Sequence, residues 1–117
     1  MSLRFDITST PACGILRLSG RILSDENLQE ILQQVDETIA AGKKWWLCDL
    51  SGLEYCNSTG LNLFVRLLTK SRSAGGDCVL INLQPGVKKL FELSKLIEIF
   101  TSYASLEEAI ERYNTVS

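Results

Sequence analysis

The sequence predicts an α/β fold, with a mixed and mainly parallel sheet of about five strands and about four helices. Three observations support this class. Short apolar runs alternate with segments whose apolar residues recur at helical spacing. Gly, Pro and helix-capping residues separate the two kinds of segment. The 117 residues fit one ordinary domain and contain no linker or internal repeat, so we expect a single domain over 1–117.

Five strands are expected from the apolar runs and the breaks that bound them. They lie at 4–8, 12–19, 45–50, 78–83 and 97–100. Pro11 marks the bend between the first two strands, and Gly20 ends the second. Because the later strands alternate with helices, they should pair in parallel through right-handed crossovers, with the first strand as an antiparallel edge.

Four helices are expected between and after these strands, each with recognisable end signals. The first carries apolar residues from Leu28 to Ile39 and is bounded by Ser24 or Asp25 as its cap and by Gly42. The second begins near Thr59 and ends at Gly75. The third begins at Pro85. The fourth begins at a capping box of Ser105 and Glu108 and continues through Tyr113.

The composition excludes several classes of function. A net charge of -2 and a pI near 5.1 argue against non-specific nucleic-acid binding, which needs a basic face. No apolar run approaches the roughly 20 residues that span a bilayer, and the first ten residues lack a secretory h-region. We therefore expect a cytoplasmic protein without membrane insertion.

The four cysteines are predicted to be reduced and buried rather than metal-binding. They are Cys13, Cys48, Cys56 and Cys78. No pair has C-x-x-C spacing and the chain has no histidine, so a typical mixed zinc site is ruled out. We expect no metal and no cofactor.

The stretch from Asp49 to Leu61 carries the most functional information. It is predicted to leave a buried strand, cross a polar loop and enter a helix at Asn57-Ser58-Thr59-Gly60. Open α/β sheets place their sites at the carboxyl ends of strands, and a helix N-terminus tolerates a phosphate. On residue chemistry alone, a plain helix cap with a glycine for close packing is the commoner role of such residues.

Four segments match motifs that occur together in one family, in the same order along the chain as they have here. Asn57-Ser58-Thr59-Gly60-Leu61 resembles the signature D-S-[ST]-G-L. The others are Asp49-Leu50-Ser51-Gly52-Leu53, similar to D-L-S-x-[VL]; Ala74-Gly75-Gly76 before Val79-Leu80, similar to A-G-G-x-L-x-L; and 85–93, similar to P-x-V-x-[RK]-L-[FL]-E-[LI]. Over nearly its whole length the chain resembles a STAS domain, specifically a bacterial anti-sigma factor antagonist.

This resemblance implies a STAS-type sheet and a partner-switching function. In such proteins the unmodified form binds an anti-sigma factor that is also a serine protein kinase, and this binding releases the sigma factor. The kinase phosphorylates the first Ser of the signature, and a serine phosphatase reverses the modification. Ser58 occupies this position, with Thr59 as the second-choice acceptor, and we expect a monomer or a weak dimer.

The implied partner-binding residues extend beyond the phosphorylation site. They are Asn57, Ser58, Thr59, Gly60, Asn62, Arg66 and Arg21. Ordinary solvated helix positions remain the alternative for Asn62 and Arg66.

Three departures from the family pattern keep a second function open. Asn57 and Leu23 stand where relatives usually have Asp, and Lys95 stands where they often have Gly. Because two carboxylates are lost, the alternative is a constitutive STAS scaffold subunit of a transport or signalling complex, without a phosphorylation cycle. An enzyme is disfavoured, since the sequence contains no histidine, no P-loop and no credible triad.

Overall fold

A computed structural model describes residues 3–11, 13–24 and 27–116, with the backbone alone over 113–116, and arranges them around one five-stranded sheet. The strands are β1 (Leu3–Ser9), β2 (Gly14–Ile22), β3 (Trp45–Cys56), β4 (Asp77–Ile81) and β5 (Ser102–Tyr103). The helices are α1 (Leu28–Ala40), α2 (Ser58–Ser73), α3 (Pro85–Leu93) and α4 (Leu106–Val116), with a 3₁₀ turn at Leu96–Glu98. β1 pairs antiparallel with β2, and the other neighbours pair in parallel. This confirms the predicted fold class.

The helices divide between the two faces of the sheet. The strand order follows the chain order, so the three crossovers step in the same direction and place α1, α2 and α3 on one face. The main core lies there, with Trp46 and Leu50 of β3 packed among the apolar residues of these helices. A smaller cluster on the other face joins Ile15 and Leu47 to Ala109 of α4.

Three phenylalanines connect the helices of the main core. The rings of Phe64 and Phe91 lie 5.5 Å apart, and those of Phe91 and Phe100 lie 5.7 Å apart in an edge-to-face arrangement. All three side chains are buried. Aromatic pairs of this geometry add to the gain from burial, so they fix α2 and α3 against the segment that leads to β5.

Two predicted strand ends are wrong, because β2 and β3 both continue beyond them. β2 continues past Gly20 to Ile22, and Gly20 has a φ of 92° at a register shift between β2 and β3. β3 continues through the stretch 51–56 that was predicted to be a polar loop. A Cβ at Gly52 would lie 2.8 Å from Cβ of Ser19, so glycine there permits the close approach of the two strands.

The predicted strand at 97–100 is also wrong. Leu96–Glu98 form a 3₁₀ turn, and the last strand follows at Ser102–Tyr103. Glu98 and Ile99 are both exposed before the buried Phe100, so the run does not alternate as a strand would. The run instead covers the end of the main core before the chain enters the sheet.

The predicted starts of three helices are confirmed and the start of α1 is wrong, and α4 continues to Val116, past the predicted Tyr113. α1 begins at Leu28, with Asn27 in the left-handed conformation before it, rather than after Ser24. Asp25, the other predicted cap, lies outside the described residues, as does residue 12 at the start of the predicted second strand. α3 begins at Pro85 as predicted, and the backbone N–H of Glu108 donates to Oγ of Ser105 at 3.2 Å.

All four cysteines are buried, as their apolar surroundings predict. The sulfur atoms of Cys48 and Cys78 lie 3.4 Å apart between β3 and β4. Their hydrogen bond and burial raise the pKa of Cys78 well above its usual value, and burial raises the pKa of Cys56 to about 11. Both thiols are therefore held in the protonated form, which is a poor nucleophile.

Neither a membrane span nor a metal-binding cluster is found in the part of the chain that the structure describes. None of these helices combines the length and the apolar character needed to cross a bilayer. The same residues contain no group of three or more His, Cys, Asp or Glu side chains that could hold a metal ion.

Candidate protein-binding site

Asn57 connects the end of β2 to the first turn of α2. Its extended backbone makes it the N-cap residue, and its Oδ1 accepts a hydrogen bond from the N–H of Gly60 at 3.2 Å. Its Nδ2 donates to the carbonyl oxygen of Leu23 at 2.9 Å. The backbone N–H of Asn57 also donates to the carbonyl of Ile22 at 3.1 Å. The amide therefore satisfies one free helix donor and one free carbonyl at the same time.

Ser58 is the first residue of α2 and its side chain is exposed. The first turn of α2 contains no acidic residue, whereas Lys70 and Arg72 lie in its last turn. The basic residues compensate the negative end of the helix dipole, and the positive end has no side-chain counterpart. A negative charge added at Ser58 would therefore be favoured by the helix itself.

Gly60 is buried under the first turn of α2. A Cβ at this position would lie 2.7 Å from Cβ of Cys56 and 3.1 Å from two carbon atoms of Ile22. Only glycine allows α2 to begin this close to the ends of β2 and β3. Gly60 thus positions the neighbouring Ser58 and offers no side chain to a partner.

A groove of 210 Å³ lies between α1 and α2, one turn from Ser58. This α1–α2 groove is lined by Leu28, Gln29, Leu32, Thr59, Asn62, Leu63 and Arg66. Its floor is apolar and its rim is polar. Among the described residues, no carboxylate lies within ion-pair distance of Arg66, which is exposed. Further along both helices, Nζ of Lys70 contacts Oδ1 of Asp36 at 2.9 Å and holds α1 beside α2.

A second exposed surface lies at the ends of β2 and β3. This strand-end patch consists of Arg21, Leu23, Glu54 and Tyr55. Leu23 is 49% exposed and Tyr55 is 41% exposed, so the ends of these two adjacent strands present large apolar side chains to solvent. Nε of Arg21 lies 3.7 Å from Oε1 of Glu54, and both side chains are exposed.

The predicted site residues come together in one region of the structure. Thr59, Asn62 and Arg66 share the groove, while Arg21 belongs to the strand-end patch. The hydrogen bond from Asn57 to Leu23 joins the two surfaces. Sequence reasoning missed Tyr55, because it ended β3 at residue 50 and treated the following residues as a loop.

Asp49 of the family-like strand exit lies away from this region, on the opposite face of the sheet. Its Oδ1 accepts from the N–H of Ser51 and from Nδ2 of Asn82, both at 3.1 Å, and Arg17 lies 3.7 Å from its Oδ2. Burial raises the pKa of Asp49, but the hydrogen bonds from Ser51 and Asn82 and the charge of Arg17 together lower it below its usual value. As a carboxylate, Asp49 of β3 therefore contacts Arg17 of β2 and Asn82, which directly follows β4.

The fold and the sequence motifs define one class of protein. The chain belongs to the STAS domain family, whose sequence model matches residues 4–109.

Within this class, the chain is similar to proteins named as anti-sigma factor antagonists. It is 27% identical to BtrV of Bordetella bronchiseptica, provisionally named an anti-sigma factor antagonist, over 80% of this chain and 81% of that protein. A Thermotoga maritima protein with the same provisional description superimposes with a TM-score of 0.79 at 25% identity, over 94% of each chain. The anti-sigma factor antagonist SpoIIAA in its unphosphorylated form shares the fold, with a TM-score of 0.82 at 23% identity, over 97% of this chain and 99% of that one.

Proposed function

We propose that the chain is a phospho-regulated protein-binding switch that acts as an anti-sigma factor antagonist. The unphosphorylated form binds an anti-sigma factor with serine-kinase activity, and phosphorylation of Ser58 ends that binding. The observation that carries the proposal is the position of Ser58, exposed at the start of α2 and flanked by Asn57 and by Thr59 of the groove. A serine phosphatase would restore the binding form.

Similarity to named proteins supports the class of function. BtrV and the Thermotoga protein are both described as anti-sigma factor antagonists. SpoIIAA has been solved in its unphosphorylated form and, from Bacillus, in its phosphorylated form. A protein with this fold is therefore known in both of the covalent states that the proposed cycle requires.

The chemistry of the site fits a switch that does not rearrange the fold. Because Ser58 is already exposed, a kinase can reach its hydroxyl without unfolding α2. A phosphate adds about -1.5 to -2 charges, which the N-terminus of α2 accommodates. A bound partner would have to desolvate that charge, at a cost of several kcal/mol, and about 1.4 kcal/mol already weakens binding tenfold.

The decisive experiment compares charge at the two ends of α2. Tagged chains carrying Ser58→Ala or Ser58→Glu are purified from the native cells, and the bound proteins are identified by mass spectrometry. Wild type and Ser58→Ala should retain an anti-sigma factor with a kinase domain, whereas Ser58→Glu should lose it. Retention of this partner by Ser58→Glu contradicts the proposal.

Ser73→Glu is the matched control, because Ser73 is exposed on the same helix but in its last turn. It adds the same charge away from the proposed site and should leave partner binding unchanged. Circular dichroism checks that all three variants remain folded, so a loss of binding by Ser58→Glu alone is assigned to the site.

A constitutive scaffold is the second candidate, and Asn57 favours it. The amide donates to the carbonyl of Leu23, which a deprotonated Asp could not do, so this departure from the family has a structural use of its own. Under this alternative the chain binds its partner permanently within a transport or signalling complex. Ser58→Glu would then retain the same partner as wild type.

A further inference from the structure

β1 is a long edge strand whose outer side has no partner among the described strands. It spans seven residues, Leu3–Ser9, and pairs only with β2 in the five-stranded sheet. The opposite edge is formed by β5, which has two residues. β1 contains neither Pro nor Lys, two of the residues that commonly prevent an edge strand from pairing with another chain, and its two charged residues, Arg4 and Asp6, have opposite signs.

From Leu3 to Thr8, the side chains of β1 alternate between two environments. Leu3 is buried, and Phe5 and Ile7 are half-buried against the main core. Arg4 and Asp6 point to the other face and are exposed. A strand added to this edge would continue both patterns if its residues alternate in the same phase.

Charge also remains available on the exposed face of β1. Arg4 has no carboxylate within ion-pair distance among the described residues. Asp6 lies 3.7 Å from Arg17, but its side chain is 64% exposed. Arg17 in turn is shared with Asp49, at 3.7 Å. Both β1 charges can therefore interact with a strand beside them.

A two-fold axis normal to the sheet restricts how two copies of β1 can pair, because one residue must face its own counterpart. If the axis passes beside Arg4 or Asp6, like charges lie opposite each other, which destabilises the strand pair. If it passes beside Ile7, Arg4 has no residue of β1 opposite it. If it passes beside Phe5, Arg4 lies opposite Asp6 twice and Leu3 lies opposite Ile7.

We propose that this edge binds a second copy of the chain, with the two β1 strands antiparallel and Phe5 opposite Phe5. The two five-stranded sheets then form one continuous sheet, with the helices α1 to α3 of both copies on the same face. Each Arg4 pairs with Asp6 of the other copy, and the apolar residues extend the main core across the junction. The dimer leaves the start of α2 open, since β3 is separated from the edge by β2.

Sedimentation velocity of the purified chain tests this interface. Wild type should shift with increasing concentration from the 13.0 kDa mass of one chain to twice that mass. Arg4→Asp and Asp6→Arg should each raise the dissociation constant by more than about tenfold, because two attractive pairs become two repulsive ones.

The decisive experiment mixes the two variants. In a mixed dimer both cross-strand pairs again join opposite charges, so an equal mixture of Arg4→Asp and Asp6→Arg should dimerise like wild type. Lys89→Asp and Glu92→Arg, which make the same charge changes on exposed positions of α3, should dimerise as wild type does. Thermal unfolding followed by circular dichroism verifies that each variant is folded.

Any of three results would overturn the proposal. The first is a wild-type chain that stays at one-chain mass at every concentration, and the second is a dimer that neither charge variant weakens. The third is a mixture that fails to dimerise while each variant alone is monomeric, because this excludes the Phe5-centred register. None of these outcomes depends on Ser58 or on any partner, so they leave the proposed switch untouched.

Discussion

Asn57 makes two side-chain contacts that a carboxylate could not make together. It accepts from the N–H of Gly60 and donates to the carbonyl of Leu23. Asn57→Ala removes both and should lower the free energy of unfolding by about 1–2 kcal/mol. Asn57→Asp keeps the cap and adds a charge that the helix dipole favours, so its loss should stay below about 1 kcal/mol. Urea unfolding of both variants measures the difference, and equal losses would show that the donor to Leu23 dominates.

Lys95 adopts a backbone conformation that costs energy for any residue with a Cβ. Its φ is 65°, in the left-handed region, between α3 and the 3₁₀ turn. Lys95→Gly removes a strain of about 1–2 kcal/mol and adds back about 0.5–1 kcal/mol through a more flexible unfolded chain. We expect a net stabilisation of up to about 1 kcal/mol in urea unfolding. Lys95→Ala keeps the Cβ and should give no such gain, so equal gains would assign the effect to the lost charge.

Asp49 should make stability depend on pH in the acidic range. Its folded-state pKa is lowered, so the carboxylate stabilises the fold above the usual Asp pKa and this contribution is lost as pH falls through the folded value. Wild type should therefore lose stability below pH about 4, and Asp49→Asn should lose less over the same range. Asn82→Ala, which removes one hydrogen bond to Asp49, should fall between them in urea unfolding at a series of pH values. Identical slopes for all three proteins would contradict the assignment.

At the scale of secondary-structure elements, the packing of the first turn of α2 against the ends of β2 and β3 depends on Gly60. Gly60→Ala forces a Cβ against Cys56 and Ile22 and should destabilise the chain by about 1–3 kcal/mol. Gly86→Ala is the matched control, because the nearest atom to its Cβ would be the carbonyl oxygen of Glu54 at 4.0 Å. This second variant lies in the first turn of α3 and should be neutral or stabilising by up to about 1 kcal/mol. Equal effects of the two changes in thermal or urea unfolding would refute the packing argument.

The elements that local chemistry fixes could be predicted from the sequence. Pro85 starts α3, Ser105 caps α4, and α2 begins within one residue of the predicted Thr59. Each signal acts within one or two turns of its own residue. The length of β3 could not be predicted in this way, because its continuation past residue 50 depends on Gly52 fitting against Ser19 of the neighbouring strand. That contact exists only after the strands have paired.

The same distinction applies to the candidate site. Thr59, Asn62 and Arg66 follow one another at helical spacing, so their common face on α2 could be predicted from sequence. The opposite wall of the groove, with Leu28 and Leu32, depends on how α1 packs beside α2 and leaves no local pattern. Tyr55 was missed for a related reason, since its exposure follows from the extension of β3.

At the scale of the whole molecule, the sheet separates the proposed functions. The start of α2, the α1–α2 groove and the strand-end patch lie together around the ends of β2 and β3. The β1 edge lies on the far side of β2, where a second copy would not cover Ser58. The molecule can therefore pair with itself and still present the proposed switch to a kinase or an anti-sigma factor.

The central claim is that Ser58 is the residue whose phosphorylation controls binding. The most direct measurement is intact-mass spectrometry of the protein isolated from its native cells across growth and stress conditions, with the site mapped by fragmentation. The account predicts a fraction of chains that carry one phosphate, located on Ser58 and varying with conditions. A chain that is unmodified under every condition, or that is phosphorylated only elsewhere, would contradict it.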